Sequence, residues 1–87
     1  MSWEEIKLQV SDELKQLLKD RSISENELKR VIHHAETEGD KLYQPEANIY
    51  LTKLTMGLAT FYVEYSIEED GYLVRAAYAH RSRIVGE

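Results

Sequence analysis

The chain has no cysteine, one proline, one tryptophan and four glycines in 87 residues. Without cysteine it has no disulfide, no thiolate ligand for an iron–sulfur cluster and no thiol nucleophile, which fits a reducing compartment. Basic residues are scarce as well. Eleven Lys and Arg stand against 16 Asp and Glu, a formal charge of −5, so the chain lacks the positive field that binds a phosphate backbone, and no nucleic-acid partner is expected. No apolar run approaches the roughly 20 residues that span a bilayer. The opening MSWEEIKLQV is acidic and mixes charged with apolar residues, unlike the basic start and continuous apolar stretch of a secretory signal. The expectation is a cytoplasmic protein with no membrane partner.

Motifs are missing too. The sequence holds no phosphate loop, dinucleotide fingerprint, nucleophile elbow, calcium loop or zincin helix, so it implies no enzyme class and no cofactor. A chain this short buries a modest core and leaves little room for a deep pocket within one subunit. What it does have is 43% apolar and 31% charged residues, the balance of a folded domain rather than a disordered tail. The expected unit is one domain covering residues 1–87.

Trp3, Ile6, Val10, Leu14, Leu17 and Leu18 recur at helical steps, and Ser2 with Glu5 has the capping-box pattern, so the favoured reading of the first segment is one helix. A rival reading takes residues 4–10 as a strand, because Ile6, Leu8 and Val10 alternate with Lys7 and Gln9; Ser11 would then cap a shorter helix. The second helix is better marked. Ser24 and Glu27 form a capping box, Ile23 and Leu28 occupy the staple positions, Leu28, Val31, Ile32 and Ala35 give one buried face, and Gly39 ends it.

After Pro45 the chain turns to β-branched and aromatic residues, with strands expected near 48–54, 59–66 and 72–84, and turns near Met56-Gly57 and Asp70-Gly71. The fold expected is α+β, a two-helix hairpin packed on one face of a three-stranded antiparallel meander, in the order α-α-β-β-β. Alternation would send Tyr72, Val74, Ala76, Tyr78 and His80 toward the helices, and Arg75, Arg81 and Arg83 to the other face beside Tyr62 and Glu64.

The open face is the first functional candidate. Tyr and Arg are enriched at protein hot spots, so Tyr62, Arg75 and Arg81 suggest an interaction module that docks another protein or a second copy. A second reading is a small-anion site in which Arg81, Arg83 and His80, with Lys53 nearby and Tyr78 as a wall, supply charge-assisted bonds; solvated charges guarding a strand edge are the plainer explanation. The third is a metal-dependent or acid–base enzyme completed at a dimer interface. His34, Glu38 and His80 are its weak metal candidates, and an ordinary hydrogen-bonded histidine is the commoner role for His80. His33 and His34, adjacent on a helix, point roughly 100° apart and cannot share a metal, and His33 falls on the solvent side with Lys29.

Overall fold

The computed structural model describes residues 3–81. In order these form a 3-10 turn (Trp3–Glu5), β1 (Leu8–Gln9), α1 (Asp12–Asp20), α2 (Glu25–Glu38), β2 (Leu42–Gln44), β3 (Ile49–Met56), β4 (Ala59–Glu68) and β5 (Gly71–Arg81). The protein is α+β, but its sheet is larger than the sequence suggests. Five strands lie in the order β1-β5-β4-β3-β2. The expected meander is its centre, β3-β4-β5, all antiparallel. β2 adds an antiparallel edge on β3, and β1 adds a parallel edge on β5, making the sheet mixed. Strands of two and three residues are too short to establish an alternating pattern, which is why sequence reasoning passes over them.

The first segment is not a single helix. Ile6, Leu8 and Val10 are partly buried while Glu5, Lys7 and Gln9 are exposed, so the period of two prevails over the helical period. The Ser11 hydroxyl accepts from the Leu14 N–H at 3.2 Å and starts α1 there, with Asp12 and Glu13 in its first turn, where negative charge is favoured. Leu14 and Leu18 face the core, while Leu17 is left 44% exposed.

α2 forms where the sequence places it. Ser24 Oγ accepts from the Glu27 N–H at 3.2 Å, and Glu27 returns the bond by accepting from the Ser24 N–H at 2.8 Å. Gly39 closes the helix at φ +72°, a left-handed conformation that glycine adopts without strain. Leu28, Val31, Ile32 and Ala35 are wholly buried and meet Phe61, Val63, Tyr65, Val74 and Ala77 of the sheet.

β5 corrects the expected faces. Glu64 pairs with Ala76 but Tyr65 pairs with Val74, so Arg75 has no partner across β4. This extra residue is a β-bulge, and it reverses the parity of everything after it. Tyr72 and Val74 point to the helices as expected. Beyond Arg75 it is Ala77 and Ala79 that pack against the core, while Ala76, Tyr78 and His80 turn to the open face with their partners Glu64, Tyr62 and Thr60.

Past Leu73, no strand among the described residues lies beside β5 on the β1 side. The loop between the helices guards that edge: the Arg21 guanidinium donates to the Ala77 carbonyl at 2.7 Å, and Arg81 donates to the Ser22 carbonyl at 3.0 Å. An added strand would have to displace Arg21, so this edge is closed to simple pairing.

Candidate functional sites

Both helices lie on one side of the sheet, and the other side is free of them. On that open side, neighbouring strands bring Lys53, Tyr62 and Tyr78 into one row. The Tyr62 and Tyr78 rings stack with centroids 5.2 Å apart and planes 18° from parallel, and Tyr78 is 48% exposed. The next row holds Leu42, Leu51, Glu64 and Ala76, with Leu42 70% exposed at its end. A hollow of about 370 Å³ beside the stack is bordered by Leu42, Leu51, Lys53 and Tyr62.

The residues singled out from the sequence separate here. Tyr62 and Tyr78 meet, and Arg75 stands exposed at the bulge. His80, expected at the edge of the core, is exposed at the far end of the open face opposite Thr60. Arg81 leaves the open face, because its guanidinium is held by the Ser22 carbonyl. Arg83 lies outside the described residues. The metal candidates do not converge: His34 Nε2 lies 3.5 Å from Asp40 Oδ2, Glu38 is exposed at the end of α2, and His80 is on the opposite side of the sheet. Among the described residues no group of three His, Asp or Glu side chains is placed to hold a metal ion.

Sequence reasoning missed a polar network on the helix side. Four tyrosines form a chain across the sheet under the end of α2. Tyr43 lies 5.0 Å from Tyr50, Tyr50 5.7 Å from Tyr65, and Tyr65 5.7 Å from Tyr72, centroid to centroid. The Tyr65 hydroxyl donates to Glu36 Oε2 at 2.5 Å, and the Lys41 ammonium donates to the same oxygen at 2.7 Å while sitting 4.4 Å from the centre of the Tyr50 ring. Among the described residues Glu36 Oε1 has no hydrogen-bond partner, and it is not sealed from solvent. One signal of this was present: Glu36 continues the row Leu28, Ile32 at steps of four, placing a carboxylate where the next apolar residue would stand.

Beside this network is a cleft of about 440 Å³ between residues 5–7, the second half of α2 and the β4–β5 turn. Glu36 and Tyr72 line it, and so does His33, half-buried rather than on the solvent side. Two attachments hold the N-terminal wall. Trp3 packs under the Arg30 guanidinium, 4.7 Å from ring centre to Cζ, and the Lys7 carbonyl accepts from the Tyr72 N–H at 2.9 Å.

Burial pushes the Tyr65 phenol far above its ordinary range, and the Glu36 carboxylate that accepts its proton pushes it further. Tyr72 is raised as well, first by burial and then by Glu36, with Lys41 pulling the other way. Both groups therefore stay protonated in the folded protein at a pH where the unfolded chain has begun to lose those protons. Their contribution to stability is complete below pH 10 and declines above it, by about 1.4 kcal/mol per pH unit for a group as buried as Tyr65. Chemical denaturation between pH 8 and 11.5 is expected to show a fall in stability that steepens past pH 10, and Tyr65→Phe is expected to flatten it. An equal slope in the variant would remove Tyr65 as its source.

Comparisons with known proteins found no matching family model, no matching curated protein and no matching solved structure.

Proposed function

We propose that this chain is a docking module that binds another protein through the open face of its sheet. The observation that carries the reading is the stacked Tyr62–Tyr78 pair on a face that neither α1 nor α2 covers. Two preordered aromatic rings cost little further entropy when a partner immobilises them, which is why tyrosine recurs at hot spots. The adjoining hollow, with Leu42 and Leu51 as its apolar border and Asp40 and Lys53 among its lining, suits an inserted apolar side chain with polar neighbours. Lys53, Glu64, Arg75 and His80 mix both signs on the rest of the face, which favours a protein surface over a polyanion. An anion site built from Arg81 and His80 has less support, since Arg81 is engaged elsewhere.

The test is site-specific photocrosslinking in cells that express the protein, with benzoylphenylalanine at position 78 and, as control, at Gln16 on the exposed side of α1. The expected result is a discrete adduct from position 78, none from position 16, and loss of the adduct when Tyr62→Asp is added. An adduct with twice the chain's mass would assign the face to a second copy and overturn the proposal of a different partner. No adduct at position 78, or equal adducts at both positions, would overturn docking at this face.

A further inference from the structure

The cleft on the helix side has the size and chemistry of a small-molecule site. We infer that it binds a small organic cation, a protonated amine carried on an apolar body. Its volume of about 440 Å³ lies within the range of about 300–1,000 Å³ in which proteins hold small ligands. Ile6 and the Tyr72 ring supply apolar wall, and an aromatic face also attracts a cation. Glu5, Glu36 and Asp70 line it with Lys7, and Lys41 pairs with Glu36 from outside the lining, so the surroundings keep a net negative charge that favours a cation and opposes an anion.

Glu36 is the recognition group. Tyr65 and Lys41 both bond to its Oε2, fixing the carboxylate, and its Oε1 is left to accept from a ligand. A carboxylate already fixed by its neighbours needs little reorganisation when an ammonium arrives, and a charge-assisted bond of this kind is among the stronger ones available. The backbone encloses the site because Gly71 allows Lys7 to approach. A Cβ at residue 71 would fall 2.5 Å from the Lys7 carbonyl oxygen. The inference is independent of docking at the open face, which lies across the sheet.

The test is an NMR titration of the folded protein, following backbone amides, with phenethylammonium as the probe and phenethyl alcohol and phenylacetate as neutral and anionic matches. Phenethylammonium is expected to give saturable shifts confined to residues 5–7, 33–37 and 70–72, with millimolar affinity. The two matched compounds are expected to give none. Glu36→Gln, which keeps an acceptor for Tyr65, is expected to weaken binding at least about tenfold. Thr37→Arg, at an exposed position on the rim, is expected to abolish binding without unfolding the protein, and it decides the matter if Glu36→Gln does not fold. Absent or scattered shifts, equal shifts from phenethyl alcohol, or binding that survives Thr37→Arg would overturn the inference.

Discussion

Gly71→Ala is expected to lower the stability of the protein by at least about 2 kcal/mol and to detach the N-terminal segment from the sheet. Two effects add at this position. The backbone has φ +148°, a region that glycine visits freely and L-residues avoid. The new methyl would also stand 2.5 Å from the Lys7 carbonyl oxygen and 3.0 Å from the Lys7 Cβ. The first of these neighbours is backbone, so the conflict cannot be relieved by turning a side chain. The cheapest relief is for Lys7 to withdraw, which breaks the bond from the Tyr72 N–H to the Lys7 carbonyl and then the pairing of Leu8 with Tyr72. Amide exchange at Tyr72 would report the local loss, and urea unfolding would report the total. Unchanged protection of the Tyr72 amide in a variant of normal stability would show that Lys7 does not lie where it is described.

Leu28→Ala is expected to cost more, about 3–5 kcal/mol, a large part of the roughly 5–15 kcal/mol that holds a domain together. Leu28 is fully buried, one turn into α2, and its side chain helps to seat that helix on the sheet. Truncation removes both its transfer energy and the contacts of the atoms that lined it, because the surrounding helix and strands are held by other contacts and collapse only partly into the space. Leu17→Ala provides the contrast. At 44% exposure it is expected to change stability by no more than about 1 kcal/mol. The two midpoints of urea denaturation, measured side by side, check the expectation, and similar losses at both sites would contradict the assigned core.

α2 was legible in the sequence because its start is written in local chemistry. Ser24, Glu27, Ile23 and Leu28 act within one turn, and that pattern survives in any fold that uses the helix. The long strands were legible for the same reason, through alternation and the Asp70-Gly71 turn. β1 and β2 exist only because β5 and β3 offer edges to them, and two or three residues carry no period of their own. The first segment contained both answers, and the alternation of Ile6, Leu8 and Val10 won because it lets these side chains reach the core from beside β5 while Ser11 caps the helix that follows.

The site was less legible than the fold. Around Arg75 the sequence reads Val-Arg-Ala-Ala-Tyr-Ala, and alanines occupy both parities, so hydrophobicity cannot reveal where the extra residue sits. Simple alternation then put Tyr78 and His80 on the wrong face and Arg81 on the open one. Tyr62 was placed correctly because β4 has no irregularity before Glu64. The Glu36 network depends on Tyr65 and Lys41, 29 and five residues away in sequence, and the longer of these separations follows only from the tertiary fold.

The open face owes its stacked tyrosines to Arg75 being the extra residue of β5, and deletion of Arg75 tests that most directly. With the bulge removed, Val74 would still face the helices, Ala76 would still oppose Glu64, and every later residue would keep its face. The deletion variant is expected to unfold cooperatively with a loss of no more than about 2 kcal/mol and to retain nuclear Overhauser contacts between the Tyr62 and Tyr78 rings. If β5 instead ran without a bulge, the undeleted chain would bury Tyr78 and expose Ala77, and the Tyr62–Tyr78 contact would appear only in the deletion variant. Absence of the Tyr62–Tyr78 contact from the undeleted protein, or a variant that fails to fold or lacks it, would contradict the account.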